Sequence, residues 1–129
     1  KLLPVNLKDV SCFYTTDKST YIYMKDGNIY PYSRTLEQIC SLLNPEDFIR
    51  ANKQFIIARN SVADITIWFD SRLLVTLDVD IAERIYISKN KAVEFKAWIV
   101  SDNWSVVETY LWINKQRVAI KSHPLFVLS

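Results

Sequence analysis

The sequence predicts a mainly β domain that carries one short docked helix and a second helix at its C-terminal end. A strand-like run of aromatic and β-branched residues at positions 21–24 reaches the turn sequence Asp26-Gly27, which leads into a second run at 29–30. Residues 63–68 alternate polar and apolar side chains, which is typical of a strand with one buried face. Further extended segments are predicted at residues 2–5, 10–14 and 73–77.

Both helices are predicted from capping residues and apolar spacing. Thr35 and Gln38 match a capping box, in which the Thr hydroxyl accepts from the Gln38 amide and the Gln38 side chain reaches back. The apolar face that follows consists of Leu36, Ile39, Cys40 and Leu43. Because a helix of about two turns is marginal alone, we expect it to dock on a sheet. The second helix is predicted at residues 91–99, with Ala92, Phe95 and Ile99 on one side.

Composition limits the class of protein. The 129 residues are 50% apolar and 23% charged, as in a globular domain with a hydrophobic core. Gly27 is the single glycine, so the sequence contains no Gly-rich loop of the kind that cradles phosphates. The formal charge of +2 creates a weak field. Binding to a polyanion would therefore depend on where the cations lie and not on net charge.

The sequence offers no catalytic, metal-binding or cofactor-binding constellation. Cys12 and Cys40 form no C-x-x-C pair and are interpreted as buried, reduced thiols. Asp78 and Asp80 lack a third ligand at suitable spacing, which favours a solvated strand rim. His123 is the only histidine, and a surface or packing role is favoured. We therefore predict that the protein is not an enzyme and needs no metal or cofactor.

The N-terminal residues lack the pattern of a signal peptide, and no apolar run approaches the ~20 residues of a membrane span. The expected location is cytoplasmic, without membrane contact. The chain begins without an initiator Met, so we expect a fragment of a longer protein.

One basic stretch stands out, F-I-R-A-N-K-Q-F-I-I-A-R at residues 48–59. It contains Arg50, Lys53 and Arg59, and no acidic residue occurs between positions 48 and 63. A strand edge of this kind can bury its apolar residues while it points cations at a polyanion. A solvated face is the alternative. A shorter echo, I-S-K-N, occurs at residues 87–90.

The order of these parts resembles the LytTR DNA-binding domain of bacterial response regulators over about residues 1–100. The landmarks are the polar loop at 15–20, the D-G hairpin, the capped helix, the F-I-R-A-N-K-Q-F-I-I-A stretch, the strand pair at Ile65 and Leu73, and S-K-N before a helix ending F-K-A-W-I. The corresponding family motifs read approximately F-x-R-x-H-R-S-Y-I-V-N and V-S-R. Their order and spacing together carry the resemblance.

The resemblance implies an elongated arrangement of small antiparallel sheets and a β-based reading of the major groove by loop residues. It also implies the output domain of a transcriptional response regulator, bound to promoter DNA as a homodimer on repeated half-sites. A receiver or sensor domain would precede this chain. The positions carried over as DNA-binding are Thr16, Lys18, Ser19, Thr20, Arg50, Asn52, Lys53, Gln54, Ser88, Lys89 and Asn90.

The chain departs from the family motif at several of these positions. Asn52 replaces the family His, Lys53 and Lys89 replace Arg, and Gln54 replaces Ser. Lys lacks the fork with which Arg contacts guanine, whereas an Asn amide can pair bidentately with adenine. Arg50 is equally compatible with a structural role beside a carboxylate. A protein-interaction module that has lost specific DNA reading is therefore the alternative function.

Residues 101–129 form an apolar extension of unknown role. The sequence is compatible with two structures for this extension, a hairpin that turns at 114–115 and a helix over 102–113. Pro124 limits the last stretch to an edge strand. Covering a sheet edge or contacting a second copy are the hypotheses for its role.

Overall fold

The computed structural model describes residues 2–68 and 70–100, together with the backbone of residues 109–113, 116–120 and 125–127. It divides into two compact units. Unit 1 comprises Lys1–Val62 and Leu77–Ala82, and unit 2 comprises Ala63–Thr76 and Glu83–Ser129. Strands in three sheets dominate both units, which confirms the predicted mainly β class.

Unit 1 is built on a five-stranded sheet with the order β3-β2-β1-β5-β4. Its strands are β1 (Val10–Thr16), β2 (Ser19–Met24), β3 (Ile29–Tyr32), β4 (Phe48–Arg50) and β5 (Phe55–Ala58). The predicted D-G hairpin joins β2 to β3, with Gly27 at φ 92°. The strand predicted at residues 2–5 is wrong. This segment is irregular and Leu2 is 97% exposed. Pro4 has no amide proton to donate, so the segment could join a sheet only at an edge, and no edge strand in the described part of the chain pairs with it.

Helix α1 (Leu36–Cys40) docks on one face of this sheet, as predicted. Its capping box is present: Thr35 N donates to Gln38 Oε1 over 2.9 Å and Gln38 N donates to Thr35 Oγ1 over 3.1 Å. Leu36 and Ile39 are buried in a core that they share with residues of four strands, namely Val10, Phe13, Ile22, Phe48, Ile56 and Ala58. The helix is thus stabilised by burial and not by its length.

A bulge in β1 supplies the polar anchor of unit 1. The register shifts between Val10 and Cys12, which leaves Ser11 as the extra residue and turns Val10 to the same face as Phe13. Ser11 Oγ donates to Asp78 Oδ1 over 2.7 Å, and Lys25 Nζ lies 2.8 Å from Asp78 Oδ2. Asp78 is therefore part of an ion pair, and not only of the solvated rim that the sequence favoured.

The two cysteines differ in their surroundings. Cys12 is fully buried, and burial together with the nearby Asp78 carboxylate raises the pKa of its thiol to about 12. Cys40 is half-buried on α1, and both thiols are free. The predicted burial is thus confirmed at Cys12, whereas Cys40 is only partly buried.

Most of the second sheet belongs to unit 2. It comprises β6 (Val62–Ile67), β7 (Leu73–Leu77) and β8 (Ile85–Ile87), in that order. Helix α2 (Lys89–Ile99) begins two residues before the predicted start, because Ser88 serves as its N-cap. Ala92, Phe95 and Ile99 are buried on one side of α2, as predicted. None of the helices in the described part of the chain is long and apolar enough to cross a membrane.

The C-terminal extension forms a third antiparallel sheet. It contains β9 (Thr109–Ile113), β10 (Gln116–Ile120) and β11 (Leu125–Val127), in the order β11-β10-β9. Ile113 pairs with Gln116 and Thr109 pairs with Ile120, so the hairpin, and not the helix, is confirmed. The turn at residues 114–115 and His123 lie outside the described residues.

Two leucines near α1 test the docking of this helix. Leu36 is 2% exposed in the core, whereas Leu42, just after the helix, is 66% exposed. We expect Leu36→Ala to lower the free energy of unfolding by about 2–5 kcal/mol through lost burial and a residual cavity. The same change at Leu42 should cost about 0.5 kcal/mol or less. Urea denaturation measures both, and equal losses would contradict the core assigned to α1.

Candidate nucleic-acid interface

The polar segment expected to form a loop at residues 15–20 is a tight hairpin turn. Thr16 pairs with Ser19, so only Asp17 and Lys18 connect β1 to β2. Both adopt left-handed backbone conformations, with φ of 46° and 70°. Two central residues with positive φ suit the right-handed twist of a hairpin. This conformation costs a non-glycine residue roughly 1–2 kcal/mol, and it sets the exposed Lys18 side chain at the tip.

The turn between β4 and β5 is organised by Arg50. Its Nε donates to the Asn52 carbonyl over 2.7 Å and its Nη2 donates to the Lys53 carbonyl over 2.8 Å. Its Nη1 lies 3.3 Å from Glu37 Oε1 on α1. The guanidinium thus binds two backbone carbonyls and one carboxylate. This arrangement agrees with the structural role beside a carboxylate that the sequence left open for Arg50. Lys53, by contrast, is exposed.

The side chain of Asn52 also stabilises this turn. Its Oδ1 accepts from Gln54 N over 2.8 Å and from Phe55 N over 3.1 Å. An amide oxygen offers two lone pairs, and these two backbone donors use both. The bidentate contact with adenine predicted for Asn52 stays a prediction, and it requires Oδ1 to release at least one backbone amide.

The two turns are fixed to each other and border one cleft. Thr15 N donates to Gln54 O over 2.9 Å, which extends the pairing of β1 with β5 into the second turn. The adjoining cleft has a volume of about 1080 Å³. Five predicted DNA-binding residues line it: Lys18, Ser19, Thr20, Arg50 and Lys53. The lining does not include Thr16, Asn52 or Gln54.

Charge in the cleft is concentrated in cations. Four cationic side chains and one carboxylate line it, and that carboxylate, Glu37, pairs with Arg50. Among the described residues, Lys18, Arg34 and Lys53 have no ion pair. Arg59, the third cation of the basic stretch, is only 8% exposed and does not line the cleft. The cleft is therefore electropositive although the chain carries only +2.

Arg34 is a cleft residue that the sequence analysis missed. It lies alone in Ser-Arg-Thr between β3 and α1, far in sequence from the basic stretch. No local pattern marks it. The position of Arg34 depends on the register of the sheet. Thr20 pairs with Tyr32, so the chain that leaves β3 passes the start of β2, which borders the cleft.

The third predicted segment lies in unit 2, at the N-terminus of α2. Ser88 Oγ accepts from Lys91 N over 3.4 Å as the helix cap, and Lys89 and Asn90 are exposed in the first helical turn instead of a loop. Lys91 Nζ lies 3.4 Å from Glu94 Oε2. The first turn contains no acidic residue, so the positive end of the helix dipole and Lys89 together attract anions.

Variants of Asn52 separate its structural role from base reading. We expect Asn52→Ala to lower the free energy of unfolding by about 1–2 kcal/mol, since two backbone amides lose their acceptor. Asn52→Asp supplies a carboxylate oxygen that can accept from both backbone amides, so it should retain nearly all of the free energy of unfolding. Urea denaturation compares the two. Equal destabilisation by Ala and Asp would show that the acceptor is not what holds the turn.

Comparisons with known proteins agree with this architecture. The family model of the LytTr DNA-binding domain matches residues 1–100. The solved structure of a LytTr DNA-binding domain from Bacillus cereus is similar to this chain, with 25% identity and a TM-score of 0.65. The similarity covers 77% of this chain and 88% of that one. No curated protein sequence matches the chain. Since the family model spans most of its length, the chain belongs to the LytTR family of DNA-binding domains.

Proposed function

We propose that this chain is the sequence-specific DNA-binding output domain of a bacterial transcriptional response regulator. It binds promoter DNA in the cytoplasm and reads the major groove with residues at its turns. The Bacillus cereus domain is described as part of a methyl-accepting/DNA response regulator, which supports the regulatory assignment. A receiver or sensor domain precedes the chain in this proposal, and two copies bind repeated half-sites.

The cleft of unit 1 is the observation that carries the proposal. Lys18 and Lys53 project from two adjacent turns, are exposed, and have no ion pair among the described residues. Duplex DNA gains affinity when cations neutralise its phosphates and release condensed counterions. Because a backbone hydrogen bond between Thr15 and Gln54 connects the turns, the spacing of the two turns that present Lys18 and Lys53 is fixed before binding.

In this proposal, the predicted DNA-binding residues have two roles, which are phosphate contact and base reading. Lys18 and Lys53 position phosphates, with the Ser19 hydroxyl as an additional donor. Lys89 and Asn90 reach base edges from the first turn of α2, where both side chains are exposed. Arg50 acts indirectly, since it shapes the turn that presents Lys53.

A protein-interaction module on the same fold is the second candidate. The observation in its favour is that Asn52 uses both lone pairs of Oδ1 within its own turn, which removes one base-reading group. Glu37 also places a carboxylate in the cleft, where it opposes a phosphate. Salt-insensitive binding to DNA, without preference for any duplex enriched from a random library, would favour this candidate.

The turn residue Lys18 provides a test that does not depend on damage to the fold. Lys18→Gly removes the cation and relieves the left-handed strain, so stability should stay equal or rise. Affinity for a random-sequence duplex should fall about fivefold at about 0.15 M salt, and the slope of log K against log salt should shrink by about 1. Fluorescence anisotropy over a salt series measures both.

Lys8→Ala is the control for Lys18, because Lys8 is an exposed cation of unit 1 outside the cleft. Its salt slope should equal that of the wild type. A Lys18→Gly variant with unchanged affinity and slope would exclude this turn from the DNA contact.

Lys89 tests base reading. Against a duplex enriched from a random library by this chain, we expect Lys89→Ala to weaken binding by roughly 1–3 kcal/mol, the range for a base contact. Its affinity for a random-sequence duplex should change much less. Lys96→Ala removes a cation from the last turn of the same helix and serves as the control. Equal losses on both duplexes would reassign Lys89 to a phosphate, and no loss would reject the motif transfer.

A further inference from the structure

We infer that Arg34, at the junction of β3 and α1, is a further DNA-contacting residue that binds a backbone phosphate in the cleft of unit 1. The inference rests on the proposed function, since it assigns a ligand group to the same cleft. It concerns a residue outside all three segments to which the family motifs point.

The fold fixes the position of Arg34 from both sides. Tyr32, the last residue of β3, pairs with Thr20 of β2, and Thr35 is held by the capping box. Only Ser33 and Arg34 lie between these two anchors. The chain leaving β3 is therefore kept beside the β1–β2 turn, and Arg34 lines the same cleft as Lys18 and Lys53.

The side chain of Arg34 is available to a ligand. Arg34 is exposed, and in the described part of the chain it has no ion pair. The one carboxylate of the cleft, Glu37, lies against Arg50 instead. An arginine that lacks an acidic partner and shares a cleft with three other cations does not stabilise the fold through its charge, because like charges repel.

The chemistry of the cleft favours a phosphodiester. A guanidinium presents two parallel N–H donors that match two phosphate oxygens, and it remains charged at any relevant pH. Ser33 and Thr35, the two sequence neighbours of Arg34, add hydroxyl groups to the lining of the cleft. The cleft is open and is lined by four cationic side chains, so a backbone strand can lie along it while Lys18 and Lys53 contact its other phosphates. Such contacts position the duplex without reading sequence.

The test compares Arg34→Gln and Arg34→Lys with Lys8→Gln, an exposed cation outside the cleft. Two labelled duplexes serve as probes: one enriched from a random library by this chain, and one of random sequence. We expect Arg34→Gln to weaken binding to both by about fivefold at about 0.15 M salt and to reduce the salt slope by about 1. Arg34→Lys should keep the salt slope, and Lys8→Gln should match the wild type.

Methylphosphonate substitution supplies a readout that a purely structural role would not change. In the enriched duplex, one phosphate at a time is replaced by its neutral analogue. This should identify one position where the substitution weakens binding by the wild type and leaves binding by Arg34→Gln unchanged. If Arg34→Gln binds like the wild type while Lys18→Gly is weakened, the assignment of Arg34 is overturned and the proposed function stands. A loss confined to the enriched duplex would overturn the phosphate contact in favour of base reading. If the wild type shows no salt-dependent binding to either duplex, both proposals fail.

Discussion

The pairing of β1 with β5 is the constraint on which the candidate interface in unit 1 depends. β1 has β2 on one side and β5 on the other, and its end is joined to the second turn by the bond from Thr15 N to Gln54 O. Two segments almost forty residues apart in sequence therefore meet at one edge of the cleft. The same strand contributes Phe13 to the core under α1, so burial of apolar surface holds the turns in place.

The local positive charge of unit 1 depends on which cations are paired or buried and which are not, and not on the number of cations in the chain. Lys25 is engaged by Asp78, Arg50 by Glu37 and its own turn, and Arg59 is buried. The cations left without partners in unit 1 include the three that line the cleft. A chain with a small net charge thereby acquires a locally cationic surface at the cleft.

Much of the fold follows from local sequence. The capping box at Thr35, the D-G hairpin and the apolar face of α2 are each fixed by side chains within a few positions, and the structure agrees with all three. The irregular path of residues 2–5 was not predictable in this way, because it depends on which sheet edge accepts a strand. The LytTR assignment likewise followed from the order of motifs along the chain.

The roles of individual residues in the candidate site were harder to predict from the sequence than the fold was. The sequence left Arg50 open between a DNA contact and a structural role, and the structure shows its Nε and Nη2 donating to the carbonyls of its own turn. Arg34 had no motif at all, and it enters the cleft only through the register between β2 and β3. Long-range geometry of this kind is a property of the sheet and not of any single segment.

The two-residue connection between β1 and β2 has a consequence for how members of this fold can diverge. Side chains alternate across a strand, so one inserted residue that shifted β2 against β1 would turn Ile22 out of the hydrophobic interior and bring the bulkier Tyr21 or Tyr23 in. A change of length that shifts the register by one residue would therefore be destabilising at this hairpin, whereas the exposed side chains of its tip can vary. A substitution at Asp17 or Lys18 can change what the turn contacts, while the register of β1 against β2 stays the same.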